Sequence, residues 1–515
     1  MNIKKHKIAF ICLTLMIAVA VVYKINNVTH AIARYKDTGR TPSIYPDYTQ
    51  ILIPPNIAPL NFVVNEKASE YLIKIYTDND PGISVHSKTP AIKIPLENWR
   101  KLLASNNNAK LFLDVYTKNP DGDWLRYSPI TNTIAGDAID QYLVYRKMTP
   151  SSFFPKEMLI QQRDLASYKE KSVLNNASYD KGCVNCHTFL NKSPEYFTLG
   201  IRSLKYGMGT LLIDGGNVKK IDIKLGYASI HPSGKLTAFS INDVRQFFHA
   251  FNVAANGVLD HKSALSYYDF ETKKIKITPQ FSDPNRLETY PAWSPDGCFL
   301  YFSAGDVHWR GSEKTPPDNY QQIRYDLQRI PYDIRTDTWG QVETIIDADA
   351  IGKSILLPRI SPDGKFLLFC MTDYGCFPIY QPESDLYLMD LQTRQYKKLP
   401  VNSERTEAWH SFSSNSKWIV FSSKRRDGIF TRLYLAHIDD DGNASKPFII
   451  PQKDPLYYDS LMMVYSLPEF IKAQVKISSR KLTDKARSGI QAHVNQVITG
   501  ATPSSSKPNP WEHPQ

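Results

Sequence analysis

The sequence predicts a mainly β protein built around a β-propeller, and two observations carry that reading. The first is a recurring turn in the second half of the chain. Pro291-Ala292-Trp293-Ser294-Pro295-Asp296-Gly297 leads into Phe299–Ser303, and Pro358-Arg359-Ile360-Ser361-Pro362-Asp363-Gly364 leads into Phe366–Cys370. Ala228-Ser229-Ile230-His231-Pro232-Ser233-Gly234 precedes Thr237–Ser240, and a worn copy, Ser411–Lys417, precedes Trp418–Ser422. The second is another hairpin after each copy, carrying Tyr267-Tyr268-Asp269, Pro331-Tyr332-Asp333, Tyr387–Asp390 or Tyr434–Asp439. A strand, a tight turn, a strand and a further hairpin make one four-stranded unit. Repetition every ~50 to 65 residues is the period of a propeller blade with loop insertions. Residues 195–223 supply a fifth, less regular unit, so five to six blades are expected over residues 191–470.

The N-terminus comes first in the remaining order. Lys4, Lys5 and Lys7 precede an uncharged apolar run from Ile8 to Tyr23, followed by Lys24. At about 16 residues the run lies between a signal-peptide core and a full membrane span. Ala18-Val19-Ala20 and Ala31-Ile32-Ala33 are poorly placed for cleavage, and Cys12 follows a bulky residue where a lipobox needs a small one. Residues 1–35 are therefore expected to be an uncleaved signal anchor, a transmembrane helix with its basic end inside. That places the chain in the cytoplasmic (inner) membrane as a single-pass protein, with its bulk in the periplasm; cleavage near Arg34 is the alternative.

Residues 36–150 read as a β-sandwich-like domain. A proline-rich, extended lead-in is followed by short β-type runs such as Tyr71–Tyr76, Lys110–Thr117 and Tyr142–Arg146, with one helical window at Glu97–Ala104. Residues 151–190 read as a helical and looped connector, and residues 471–515 as a helical or disordered tail.

The connector holds the chemistry. Cys183-Val184-Asn185-Cys186-His187 is a complete C-x-x-C-H motif. Two thiols at that spacing can add to the two vinyl groups of one haem, and the imidazole after them then ligates the iron as proximal ligand. Zinc is the rival, but a zinc site needs a fourth ligand, and the sequence has no second knuckle; a disulfide or a chance match completes the alternatives. The expected cofactor is one covalently attached haem c. The sixth iron position decides between electron transfer and ligand chemistry. Met208 and His231, 21 and 44 residues beyond His187, are its first candidates, with His249 and His410 behind them. Only a few residues separate His187 from Glu195, so the haem is expected to pack against the propeller.

Composition excludes several function classes. Hydrophobic content of 42% and charged content of 22% are ordinary for a globular chain. A net charge of +11 over 515 residues is modest and, in an exported protein, points to acidic protein partners or anionic lipid rather than nucleic acid. There is no G-x-S-x-G elbow, H-E-x-x-H pair or Walker loop. Trp293, Trp309, Trp409 and Trp418 read as blade-packing aromatics. Cys370 and Cys376 flank a Tyr374-Gly375 turn and read equally as a disulfide or as separate thiols.

The Ser-Pro-Asp-Gly turn followed by an apolar-x-Phe-Ser strand resembles the propeller repeats of TolB-type, WD-repeat-like periplasmic proteins over residues 190–455. A haem motif just ahead of such a propeller, with Asp373–Ile379 and Pro451–Pro455, resembles a group of exported proteins found in Bacteroides-type bacteria. His231 departs from that pattern, standing where the repeat has serine, and the last copy lacks both proline and the turn glycine. The resemblance implies fold and compartment more than a reaction. Two functions are expected from it and from the motif together: a membrane-tethered c-type cytochrome exchanging electrons with periplasmic redox or envelope proteins, or a binding and scaffolding propeller with haem as a structural or sensing element.

Overall fold

A computed structural model describes residue 32 and residues 34–150, 157–248, 256–281, 283–309, 315–489 and 495–496. The expected signal anchor lies outside these residues, apart from its last few. Among the described residues no helix is long and apolar enough to cross a membrane.

Among the described residues, six successive sheets of four main strands form, and the four turn repeats fall in the last four of them. Blade II is Cys183–Phe189, Tyr196–Ser203, Gly207–Asp214 and Asn217–Ile221; blade III is Gly226–Ile230, Leu236–Phe248, Asn256–Asp269 and Lys274–Lys276. Blade IV opens with Arg286–Trp293, blade V with Ser354–Ile360 and blade VI with Glu407–Phe412, each continuing through three further antiparallel strands. Blade I is assembled from both ends of the repeat region. Tyr142–Met148, Met158–Asp164 and Glu170–Asn175 pair in sequence, and Val464–Ile471, from the far end of the chain, adds beside Tyr142–Met148. The first strands of blades II to VI and the Val464–Ile471 strand touch one another in a closed circuit. The fold is therefore a β-propeller whose ring is closed by a late strand completing the first blade, a device that leaves no sheet edge open between first and last blades.

This assembly corrects the sequence reading in two places. Residues 151–190 are expected as a helical and looped connector, but their described part forms the two outer strands of blade I and then the first strand of blade II. Tyr142–Arg146, expected in the sandwich, is the second strand of that blade. Both segments run from a few apolar residues into a few polar ones, with no clear period. Such short runs are ambiguous until a partner strand is known, and here the partner is supplied from the C-terminal end.

The repeated turns have a local physical cause. In each, the first residue and the first residue of the next strand close the hairpin: Ser294 N–H to Phe299 O at 2.9 Å, Ser361 to Phe366 at 2.8 Å, His231 to Leu236 at 2.9 Å and Ser413 to Trp418 at 2.7 Å. The turn then needs a left-handed residue, supplied by Gly234, Gly297 and Gly364 at φ of 74° to 76°, and in the worn copy by Ser416 at 63°. Asp296 and Asp363 accept backbone N–H groups two residues on, at 2.9 and 3.1 Å, which is why aspartate recurs there.

The N-terminal domain contains a seven-stranded and a three-stranded sheet with a helix at Leu96–Ala104. Trp99, fully buried, donates from Nε1 to Ile57 O at 3.0 Å. This domain docks on blade VI and the segment beyond it. Asn61 Nδ2 donates to Lys453 O at 3.0 Å, and Trp418 Nε1 donates to Asp137 O at 3.0 Å. After the closing strand, the helix Ser479–Arg487 packs on blades I and II. Its C-terminal carbonyls are capped by Lys220 Nζ, 2.9 Å from Ala486 O and 3.0 Å from Ser488 O.

Candidate functional site

The innermost strand of every blade loses register with its neighbour at one place. The shift falls at Val184/His187 in blade II, Gly226/Ser229 in III, Thr289/Ala292 in IV, Leu356/Arg359 in V and Ala408/His410 in VI. In blade I it lies at Val144/Arg146, opposite Leu467. Each is a local bulge, and bulges re-aim side chains. In five blades the bulge holds a non-glycine residue at positive φ: Tyr227 44°, Tyr290 55°, Leu357 56°, Trp409 47° and Leu467 52°. Each such residue costs on the order of 1–3 kcal/mol. Strain repeated at the same station of five blades marks the ring centre as a place where side-chain aim outweighs backbone comfort. In blade II that station is Asn185-Cys186.

The C-x-x-C-H motif is therefore not in a connector. It is the innermost strand of blade II, at the axis of the ring. Cys183 and Cys186 are separate thiols and both keep accessible surface, as do Lys224, Tyr227, Arg359, Glu469 and Tyr380. These partly exposed side chains come from the innermost strands and the links beside them, so the ring centre opens to solvent there as a hollow. One side of the hollow is closed by aromatic rings: Tyr227 lies edge-on to Tyr290 at 4.6 Å and stacks on Trp409, from across the ring, at 6.3 Å. Trp409 is thus a packing aromatic, as expected, but it joins blades III, IV and VI at the ring centre. On the motif side, Arg146 donates from Nε to Ser466 Oγ at 3.0 Å and from Nη1 to Asn185 Oδ1 at 3.1 Å, which fixes Asn185 beside the thiols. The Tyr179 hydroxyl donates to Cys183 O.

His187 turns into the seam between blades I and II, edge-on to Phe189 at 5.9 Å. Burial, reinforced by the charge of Arg146, drives its pKa down to about 3, so the imidazole is neutral throughout the physiological range. Its Nδ1 is buried without a hydrogen-bond partner among the described residues. A neutral imidazole with a spare ring nitrogen is the form that binds a metal.

The two candidates for the sixth ligand lie elsewhere. Met208 is 44% exposed, on the third strand of blade II, where it pairs with Arg202, itself the partner of Cys183. Two strand spacings, about 10 Å, separate it from the motif strand. His231 lies in the blade III turn with both ring nitrogens engaged. Ser233 N–H donates to Nδ1 at 3.1 Å, so Nε2 carries the proton and donates to Gly297 O at 3.1 Å. His410, one residue beyond the Trp409 bulge, is buried between Leu368 O at 3.1 Å and the Cys370 thiol at 3.7 Å. His249 lies outside the described residues. Cys370 and Cys376 are separate buried thiols with no bond between them.

The residues present fit a haem bound through two thioethers: two free thiols with accessible surface, a neutral imidazole that meets the Leu467 backbone and has no partner for Nδ1 among the described residues, and cations close by. Among the described residues no three His, Cys, Asp or Glu side chains converge as a bare-cation cage would require. Sequence reasoning missed Arg146, Lys224 and Arg359 altogether. The bulges had a faint signal, an apolar or aromatic residue before proline in three innermost strands: Tyr290-Pro291, Leu357-Pro358 and Leu467-Pro468.

No family model and no curated protein matches the chain. Among solved structures, an oligogalacturonate lyase in complex with manganese aligns at 13% identity and TM-score 0.34, over 73% of this chain and 99% of its own. A putative 6-phosphogluconolactonase from Bacteroides uniformis aligns at 11% identity and TM-score 0.33, over 77% and 99%. Hydrazine synthase from Kuenenia stuttgartiensis aligns at 14% and 0.29, over 52% and 65%. At these scores the likenesses carry no argument about activity, and the architecture rests on the strand pairing described above.

Proposed function

We propose that this protein is a c-type haem protein of the cell envelope, with a TolB-like propeller, that transfers single electrons to or from a periplasmic partner. Haem c is joined through Cys183 and Cys186 with His187 as proximal ligand, and when bound it supplies a one-electron couple. The chain's own residues do the rest. Asn185, held by Arg146, keeps the bulge that carries Cys186 in place. Burial keeps His187 neutral and ready to ligate. The rings of Tyr227, Tyr290 and Trp409 limit water on one side of the hollow, and exclusion of water tunes a haem's potential. The N-terminal segment tethers the chain to the cytoplasmic membrane. The observation that supports this reading is the position of the motif: two free thiols with accessible surface on the innermost strand of blade II, followed directly in the chain by His187, whose buried Nδ1 has no hydrogen-bond partner among the described residues.

The test is a spectrum. The full chain, produced with haem-attachment machinery, is expected to show a Soret band and to keep its colour through acid-acetone extraction, because thioethers survive that treatment. A colourless protein, or colour lost on extraction, ends the proposal.

A second reading, a binding propeller whose ligand sits in the hollow, is favoured by the accessible surface of Lys224, Tyr227 and Arg359 at the ring centre. Purification of a stable complex with an envelope protein, with no redox change on mixing, would select it.

A further inference from the structure

The hollow holds more positive charge than the protein neutralises. Arg146, Lys224 and Arg359 come from blade I, the link between blades II and III, and blade V, and all three interact electrostatically with the Cys186 thiol at the blade II bulge. None of them has a carboxylate within 4.0 Å among the described residues, although many other Lys and Arg side chains do. Arg146 spends Nε on Ser466 and Nη1 on Asn185, leaving Nη2 without a partner among the described residues, and among those residues Arg359 donates from Nη1 to Pro358 O at 2.9 Å and to nothing else. Lys192, at the end of the blade II strand, joins them from the Arg359 side. The acids that face this group are Glu469, which reaches Arg359 and Lys192, Asp140, which reaches Lys192, and Asp260, which reaches Lys224. Burial raises Glu469 and Asp260 to about 7, so near neutrality each supplies only part of a negative charge.

Buried cations that are only partly neutralised are unfavourable. Burial lowers the pKa of all four, and for Lys224 the charges of Arg202 and Arg146 lower it further. A fold that gathers such groups around an accessible hollow has left room for the missing anion. The chemistry of these cations narrows the ligand. Guanidinium donors at Arg146 and Arg359 match carboxylates, and the Lys224 ammonium, on the Arg146 side, can take a second carboxylate as a point charge.

We propose that the ring centre is an anion site for a ligand bearing two or more carboxylates, held by Arg146, Lys224 and Arg359. One chemistry has two sources here, the propionates of a covalently attached haem or a free polycarboxylate. The inference rests on the hollow being a binding site, and it does not need haem.

The experiment uses the full chain in detergent at low ionic strength, prepared once without haem-attachment machinery and once with it. Tricarballylate is the probe, followed by titration calorimetry and by the melting midpoint. The haem-free chain should bind one tricarballylate saturably and melt higher in its presence. Arg146→Gln, Lys224→Gln and Arg359→Gln should each weaken binding about tenfold or more, since a hydrogen bond to a charged group contributes that much. If the haem-loaded chain no longer binds the probe, propionates fill the site; if it binds as before, the ligand is diffusible. A folded haem-free chain that shows neither saturable heat nor a shift in melting overturns the proposal. That outcome leaves the haem reading intact, because extraction-resistant colour is scored separately. Should a glutamine variant fail to fold, the wild-type shift alone still decides.

Discussion

The His231 imidazole donates from Nε2 to the carbonyl oxygen of Gly297 at 3.1 Å, tying the turn of blade III to that of blade IV. A Cβ at Gly297 would lie 2.3 Å from that same nitrogen, so the histidine and the glycine fit only as a pair. His231 also packs edge-on to Trp293 at 4.7 Å. The departure from serine at this turn is therefore a strut between blades. A second link of this kind joins blades V and VI, where Asp363 N–H donates to Ser416 Oγ at 3.0 Å. The worn last copy has exchanged its glycine for that contact.

His231→Ala should lower stability by about 2–4 kcal/mol, from lost ring packing and two hydrogen bonds. It should leave the haem spectrum unchanged. Gly297→Ala should be destabilising in the wild type and less so in the His231→Ala background, because part of its cost is the clash with the ring. Denaturant titration of the four proteins measures the coupling; strict additivity would show that the two residues do not act as a pair.

Substitution at the motif should separate attachment from ligation. Cys183→Ala/Cys186→Ala is expected to abolish extraction-resistant colour. His187→Ala should keep some covalent haem but change its spin state and spectrum. Met208→Ala should change neither, since the residue lies on the third strand and is exposed. A high-spin shift in the Met208 variant would place that side chain at the iron and require the hairpin to fold over.

Glu288 offers a test of pH dependence. It is 3% exposed, its closest backbone donor is Leu265 N–H at a long 3.5 Å, and burial raises its pKa to about 8. A carboxyl with a raised folded-state pKa contributes fully below its unfolded pKa, near 4.5, and loses that contribution as pH rises through 8. Glu288→Gln mimics the protonated form. It should match the wild type at about pH 4 and exceed it at about pH 9 by roughly 2–4 kcal/mol, read from urea midpoints across that range. A constant difference at all pH values would mean that the carboxyl titrates alike in the folded and unfolded chains and that burial does not raise its pKa.

Ring closure should be cooperative. The Val464–Ile471 strand buries Tyr465, Phe470 and Ile471 and completes blade I. A chain ending at Ser460 should lose its sharp thermal transition, because blade I loses its innermost strand and its seams with blades VI and II open. Phe470→Ala, fully buried in the shared core, should cost about 3–5 kcal/mol while preserving a single transition. A truncated chain that melts as sharply as the full one would show that the closing strand is dispensable.

The sequence by itself determined the repeating unit. Turn residues with one conformational solution, such as Gly297 and Gly364 at positive φ beside Asp296 and Asp363, are local, and local rules read them correctly. The identity of Cys183, Cys186 and His187 as a chemical unit was equally local. What only the tertiary structure decided was where that unit sits. Blade I pairs Arg146 with Ser466, 320 residues away, and until that pairing exists residues 142–175 read as sandwich strand or connector. The same non-local step brings Arg146 beside Asn185, Arg359 and Lys224 around Cys186, and Tyr227 against Trp409. No spacing in the chain encodes those meetings. They arise because six bulged strands converge on one axis, and convergence is a property of the closed ring rather than of any segment within it.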